Sequence, residues 1–213
     1  LIHLGMSGKI LVSGSNMGNY FYELSKSQNH DHVIFLLSDG TVVTYNDPRR
    51  FGAMDLANTK DLNNHKFLKK LGPEPLGNDF NSYYLKKKLS KKESPIKNVL
   101  LDQSLVAGLG NIYVCEALFM SGISPKKKAS KISKNKCEEL VKNIRTVLIS
   151  AIAAGGSSLK DFTDIQGNSG YFQFEFFVYG REKESCKTTN CESKIKRVSQ
   201  SGRSSFYCPS CQR

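Results

Sequence analysis

The stretch "CKTTNCESKIKRVSQSGRSSFYCPSC" (residues 186–211) contains four cysteines in two pairs, C-x4-C and C-x2-C, separated by 16 residues. Such pairs are typical of a tetrahedral zinc site, and four thiolates leave no coordination position open for water. The alternative is four reduced or disulfide-paired cysteines, which the paired spacing and the missing secretion signal both disfavour. The residues between the pairs alternate as two strands joined at Ser201-Gly202, beside Arg203. The pattern predicts a hairpin around one structural Zn²⁺, with Cys186, Cys191, Cys208 and Cys211 as ligands.

The overall charge points to a polyanionic partner. The 213 residues carry 31 Lys and Arg against 19 Asp and Glu, a formal charge of +12. A surplus of this size favours nucleic acid first and an anionic membrane surface second. The sequence lacks a spanning apolar segment and a signal-peptide pattern, so we expect a cytoplasmic protein whose clustered cysteines bind metal.

Residues 1–56 have the pattern of β-strands. "HVIFLLS" and "TVVTYN" flank Asp39-Gly40, which predicts a hairpin with a type I′ turn, and "FGAMDL" could form the next strand. The first residues, "LIHLGMSG", lack an initiator Met and begin within a strand pattern. We therefore expect further sequence upstream of Leu1.

The middle of the chain has a helical pattern. "LGPEPLGNDF" (71–80) combines two prolines and two glycines and predicts a linker, whereas "IKNVLLDQSLV" has helical spacing. A longer helix is predicted over "KCEELVKNIRTVLISAIAAGG", ending at Gly155. Cys115 and Cys137 are expected in the core. The predicted buried face of the longer helix consists of Leu140, Val141, Ile144, Val147, Leu148 and Ile152.

The segment "LVAGLGNIYVCEALF" (105–119) is a second candidate site. Gly108 and Gly110 interrupt an apolar pattern, and Asn111 then opens a helix. A helix N-terminus with an amide side chain can bind phosphate. The alternative is a packed corner between helices, in which Asn111 is a plain N-cap.

Together, several motifs resemble those of the bacterial formamidopyrimidine-DNA glycosylases, which excise oxidised purines. The matching motifs, in chain order, are "HLGMSG", "YNDPRRFG", "LGPEPL", "IKNVLLDQSLVAGLGNIYVCEALFMSGISP", "GYFQFEFFVYGR" and the tail ending "CPSCQ". The resemblance implies an α+β multidomain fold. Its predicted parts are an incomplete N-terminal β-sandwich (1–70), the linker (71–80), a helix-two-turns-helix domain with a lesion-recognition loop (81–170) and the zinc-finger hairpin (171–213).

The resemblance also implies roles for individual residues in base-excision repair. Met6, Arg49 and Phe51 would fill the gap left when a damaged nucleotide is flipped out. Arg203 would grip the lesion phosphate and act as the catalytic proton donor in δ-elimination. The loop "GGSSLKDFTDIQGNSGYF" would close over the extruded base through Gly167, Ser169 and Gly170. Further DNA contacts are implied for His3, His30, Lys92 and Asn111.

In this family the nucleophile is an N-terminal proline, followed by an acidic proton donor, with an assisting lysine further along. The chain begins at Leu1, so we expect the nucleophile for base excision and β,δ-elimination to lie outside these residues, Lys97 being the first lysine to test otherwise. The C-x4-C pair also departs from the family's usual C-x2-C. The implied partner is damaged double-stranded DNA, bound by a monomer associated with the nucleoid and not with a membrane.

Three alternatives remain from the sequence. An endonuclease VIII-type glycosylase would act on oxidised pyrimidines, although Phe51 and the "GYFQ" loop favour purines. A non-catalytic protein could bind distorted duplex. A basic zinc-ribbon protein of the ribosome would leave "DPRRFG" unexplained.

Overall fold

The structure is a computed structural model and describes residues 1–14, 28–156 and 172–213. It contains two compact units. The first comprises Leu1–Leu62 and Ala154–Gln173, and the second comprises Asn63–Ala153 and Phe174–Arg213. Within the described residues, no helix combines the length and apolar character needed to cross a bilayer.

The described part of the first unit is built from antiparallel strands. Strands β2 (Lys9–Ser13), β4 (Val42–Asn46) and β3 (Asp31–Leu36) form a sheet in that order. Strand β1 (Ile2–His3) pairs with β5 (Ala53–Met54). The predicted β-rich N-terminal region and the strand in "FGAMDL" are confirmed.

The β3–β4 hairpin is confirmed, but its predicted turn type is wrong. The Gly40 N–H donates to the Leu37 carbonyl at 3.1 Å, so Ser38 and Asp39 are the central turn residues. A type I′ turn would require positive φ at both central residues, and in this hairpin only Gly40 has one, at 84°. The connection is a type I turn followed by a glycine bulge. The Asp39 carboxylate stabilises it by accepting the Thr41 N–H at 2.9 Å.

Four helices form the core of the second unit. They are α1 (Ser82–Leu89), α2 (Ile96–Leu100), α3 (Asn111–Met120) and α4 (Lys134–Ala153). The long helix predicted before Gly155 is confirmed, and five of its six predicted core residues are buried. Ile152 is the exception, since it lies in the last turn with 67% of its surface exposed. Cys115 and Cys137 are buried as predicted.

The helical spacing in "IKNVLLDQSLV" extends beyond the helix itself, because side chains end α2 early. The Asp102 carboxylate accepts hydrogen bonds from the Ser104 N–H at 2.9 Å and from the Ser104 hydroxyl at 2.7 Å. Gln103 Oε1 accepts the Gly108 N–H at 2.8 Å, and Gly108 has φ 71°. These local bonds replace helical ones and shape residues 101–110 into turns that lead into α3.

Segment 71–80 is bound to the helices of its unit. The Gly72 N–H donates to the Gln103 carbonyl at 2.8 Å. The Arg145 guanidinium on α4 donates to the carbonyls of Pro75, Gly77 and Phe80 at 3.2, 2.8 and 2.9 Å. Phe80 is fully buried. Despite its prolines and glycines, this segment therefore has a fixed path on the helical unit.

The C-terminal hairpin consists of β6 (Lys196–Gln200) and β7 (Arg203–Tyr207). Ser201 and Gly202 between them have φ of 47° and 73°, as a type I′ turn requires. The predicted turn is confirmed, and Arg203 is the first residue after it. The hairpin packs on α3 through an apolar cluster that contains Cys115, Phe119, Val178, Ile195 and Phe206.

Candidate nucleic-acid interface and metal centre

The four tail cysteines form the metal centre. Their sulfur atoms all lie within 4.8 Å of one another. The Cys186–Cys211 pair is 3.8 Å apart, and Cys191 Sγ lies 3.6 Å from both Cys208 Sγ and Cys211 Sγ. A tetrahedron with Zn–S bonds of about 2.3 Å has edges of roughly 3.8 Å. The donor set fits one structural zinc, and the longer C-x4-C pair does not disturb this geometry.

The first unit brings Met6, Arg49 and Phe51 together on its surface. Met6 and Phe51 are 63% and 58% exposed. The Arg49 guanidinium carbon lies 4.8 Å from the centre of the Phe51 ring, and its Nη1 lies 3.9 Å from Met6 Sδ. Two apolar side chains and one cation thus project together, as a group that enters a base stack requires. We call these three residues the tip.

A buried carboxylate, Asp47, lies beneath the tip. The hydroxyl of Ser7 donates to Asp47 Oδ1 at 2.6 Å, while Oδ2 accepts the Tyr45 hydroxyl at 3.0 Å and the Gly52 N–H at 2.8 Å. The hydrogen bond from Ser7 is the main reason that the pKa of Asp47 lies well below its usual value. This group was missed from the sequence, although the aspartate in "YNDPRRFG" could have indicated it.

The two predicted DNA-contacting histidines lie near these elements. His3 is exposed on β1, opposite Ala53 of β5. His30 is half-buried directly before β3, at the end of a short 3-10 helix (Gln28–His30), and its carbonyl accepts the Asp47 N–H at 2.9 Å. His30 therefore supports the loop that carries the tip.

The second unit brings the α3 N-terminus and the zinc hairpin together. Asn111 Nδ2 donates to the Ser204 carbonyl at 3.1 Å and lies 3.4 Å from Tyr179 Oη. Ser204 follows Arg203, which is exposed. Asn111 is the first helical residue and Gly110 is the N-cap, so the alternative with Asn111 as N-cap is wrong. The helix presents its positive end beside Arg203, an arrangement suited to a phosphate.

Lys97 belongs to the same cluster. Its side chain is fully buried, and its ammonium donates to the Ser204 carbonyl at 3.0 Å. Burial lowers the pKa of Lys97, and the charge of Arg203 acts in the same direction. The sequence signal for this buried position was a lysine within the apolar segment "IKNVLL".

Glu116 on α3 is a further residue that sequence reasoning missed. Its carboxylate is buried and accepts the N–H groups of Phe177 at 2.8 Å, Val178 at 3.0 Å and Tyr179 at 2.8 Å. Burial raises the pKa of Glu116, and the three hydrogen bonds oppose that shift. The carboxylate holds Tyr179 beside Asn111. Its signal was a lone acidic residue within an apolar helix.

The remaining predicted residues lie elsewhere. Lys92 is exposed in the turn between α1 and α2. Two other lysines of the helical unit have partners: Lys86 donates to the Ile132 carbonyl at 2.6 Å, and exposed Lys128 pairs with Glu93 at 3.0 Å. The loop residues Gly167, Ser169 and Gly170 lie outside the described part of the chain.

Family comparisons match three segments of the chain. Residues 1–54 match the formamidopyrimidine-DNA glycosylase N-terminal domain, and residues 71–163 match the H2TH domain of the same glycosylases. Residues 184–213 match a zinc finger found in FPG and IleRS. The matches follow the order of the strand, helical and hairpin regions described above.

Similar proteins cover the chain completely. It is 55% identical to the formamidopyrimidine-DNA glycosylases of Ruegeria pomeroyi and Roseobacter denitrificans, over 100% of the chain and 75% of each relative. The Lactococcus lactis FPG mutant G226P, solved with DNA containing Fapy-dG, is 34% identical with a TM-score of 0.84, over 100% of the chain and 74% of the other. A structure of MutM with DNA containing carbocyclic 8-oxo-G is 35% identical, with a TM-score of 0.83 and coverage of 100% and 73%. The chain belongs to the formamidopyrimidine-DNA glycosylase family.

Proposed function

We propose that the protein acts in base-excision repair as a DNA glycosylase and abasic-site lyase that removes oxidised purines from duplex DNA. The observation that carries this proposal is the tip of Met6, Arg49 and Phe51, because an enzyme acting on a base inside a duplex must first unstack it. Inserted side chains offset part of the energy that unstacking requires. Phe51 would wedge beside the orphaned base, and Arg49 would hydrogen-bond it.

Positive groups of both units would hold the DNA backbone. We assign phosphate contacts near the lesion to His3, Asn111 and Arg203, and further DNA contacts to His30 and Lys92. The exposed position of Arg203 beside the α3 N-terminus supports this assignment for the second unit. With a net charge of +12, binding would be largely electrostatic.

The zinc would act through structure. Bound by Cys186, Cys191, Cys208 and Cys211, it would supply folding energy to a short hairpin. Arg203 is the first residue after the turn of that hairpin. We further propose that Arg203 takes part in δ-elimination, and that residues 1–70, 81–170 and 171–213 are the domains, with 71–80 as the linker. We also propose that the protein is a monomer of the cytoplasm and nucleoid.

Excision by this family's chemistry requires an amine that attacks the sugar C1′ and displaces the base, after which the sugar ring opens to an iminium. The iminium product acidifies C2′ and so allows strand scission by elimination. Lys97 is poorly suited to this attack because its amine is buried against the Ser204 carbonyl. The α-amine of Leu1 donates to the Asp55 carbonyl at 2.8 Å. Neither amine is therefore free to attack C1′.

The proposal is tested by binding to matched duplexes that are intact or contain an abasic-site analogue. We expect Phe51→Ala to weaken binding to the abasic duplex about tenfold, because a lost stacking contact is worth roughly 1–3 kcal/mol. Binding to intact duplex should change less than twofold. Exposed Phe67 gives a matched control, Phe67→Ala, that should leave both affinities unchanged. Equal losses on both duplexes would contradict the role of the tip.

A further inference from the structure

The tip residues come from two loops that are distant in sequence but are joined by one buried side chain. The Ser7 hydroxyl, next to Met6, donates to Asp47 at 2.6 Å and also accepts the Arg49 N–H at 3.2 Å. Ser7, in the Met6 loop, thus binds both the carboxylate of Asp47 and the backbone of Arg49 in the second loop. The Asp47 carboxylate reaches past the tip and accepts the Gly52 N–H at 2.8 Å. The two side chains therefore hold the backbone on both sides of Phe51 and beside Met6.

The surrounding structure leaves this arrangement little freedom. Ser7 and Asp47 are both buried, and Tyr45 fixes the carboxylate to strand β4. Arg50 adopts a positive φ of 56°, which an arginine rarely does without enforcement by its surroundings. A Cβ on Gly52 would overlap the Tyr45 hydroxyl, so the chain passes directly against the buried group.

The tip side chains themselves are weakly supported. They are exposed, and the contacts among Met6, Arg49 and Phe51 are one cation–π and one sulfur contact at the surface. Such exposed contacts contribute little orientation of their own. The direction in which the tip projects is therefore determined by the backbone beneath it, and that backbone is held by Ser7 and Asp47.

We propose that Ser7 and Asp47 are positioning residues that determine lesion discrimination, by holding the Met6 loop and the Arg49–Phe51 loop as one preorganised insertion unit. This inference rests on the proposed function of the tip. Preorganisation lowers the entropy that must be lost when the tip enters the gap, so its benefit appears only where a base leaves the stack. Binding to intact duplex, which depends on backbone charge, should not need it.

The main test is Asp47→Asn, whose amide nitrogen cannot accept the bonds that one carboxylate oxygen now accepts. We expect the ratio of affinities for abasic-analogue and intact duplexes to fall about tenfold, with the affinity for intact duplex changed less than twofold. Ser7→Ala is a gentler second variant that removes one hydroxyl and should lower the ratio about threefold to fivefold. Asp39→Asn is the control, because it removes the same charge from the β3–β4 turn.

A double-mutant cycle with Phe51→Ala separates the inference from the proposed function. If Asp47 acts through Phe51, then Asp47→Asn should have little further effect on the ratio once Phe51 is alanine. An unchanged ratio in Phe51→Ala would overturn the proposed function of the tip. A reduced ratio in Phe51→Ala but an unchanged ratio in Ser7→Ala, or fully additive losses in the double mutant, would overturn the positioning role alone.

Discussion

Truncation of Glu116 should be among the most damaging single changes in the helical unit. The carboxylate accepts three buried backbone N–H groups at 2.8 to 3.0 Å, and Glu116→Ala leaves all three without that acceptor. An unsatisfied buried donor costs about 1–3 kcal/mol, so a partly relaxed set of three gives a loss of about 4–6 kcal/mol. That is a large part of the roughly 5–15 kcal/mol that stabilises a domain.

Glu116→Gln should be milder. The amide oxygen can still accept two N–H groups, while the amide nitrogen faces the third. The variant also removes a charge whose burial is unfavourable, as the raised pKa of Glu116 indicates. We therefore expect the free energy of unfolding to fall by about 1–2 kcal/mol. One charge-assisted hydrogen bond is lost, and removing the buried charge offsets part of that loss.

Denaturant unfolding measures both changes. The chain has no tryptophan and nine tyrosines, so tyrosine fluorescence can follow unfolding, with Tyr179 next to the altered site. Exposed Glu138 on α4 gives the control, Glu138→Gln, which should change stability by less than about 0.5 kcal/mol. A loss below about 1 kcal/mol for Glu116→Ala would refute the reasoning, since it would show that the three N–H groups find other partners.

Three further predictions concern zinc, salt and pH. Metal analysis should find one zinc per chain. Cys208→Ser should lose both the zinc and DNA affinity, whereas the control Cys137→Ala should keep both. Undiminished zinc in Cys208→Ser would rule out the assigned ligands. In a plot of log affinity against log salt concentration, Lys92→Ala should reduce the slope by about 0.9. Phe51→Ala removes no charge and should leave the slope unchanged. An unchanged slope in Lys92→Ala would exclude a phosphate contact of Lys92. The lowered pKa of Asp47 means that its ionised form stabilises the fold above its ordinary value of 3.8, and this contribution disappears as pH falls through the lower folded value. The difference in stability between wild type and Asp47→Asn, measured by thermal unfolding, should thus be constant at neutral pH and shrink below pH 3.8. A difference that grows below pH 3.8 would contradict the contacts of Asp47.

Local patterns were enough to predict the zinc hairpin, because cysteine spacing and a Ser-Gly turn specify geometry within a few residues. The helical period likewise predicted α4. Its last apolar residue, Ile152, is exposed, since a periodic pattern does not show where the packing partner ends. The Asp39-Gly40 turn was wrong in type because the Asp39 side chain bonds its own turn.

The supporting residues of the site were harder to predict. Lys97, Glu116 and Asp47 act through bonds to atoms that are distant in sequence or belong to the backbone. A sequence shows that a charged residue lies among apolar ones, but it does not show which carbonyl or N–H group forms a hydrogen bond with that residue. The exposed tip was predictable from family resemblance, whereas the buried bonds that orient it required coordinates.

The most direct test of the central claim is borohydride trapping on duplex containing 8-oxoguanine opposite cytosine, with the adduct mapped by mass spectrometry. Protein from the reading frame that contains these 213 residues should release the oxidised purine faster than an oxidised pyrimidine in a matched duplex, and its adduct should lie at neither Lys97 nor Leu1. The 213 residues alone should bind abasic duplex without adduct formation at enzymatic rates, because a misplaced amine has little catalytic value. Trapping of the 213 residues at Lys97 or Leu1, or preferred release of the oxidised pyrimidine, would contradict the account.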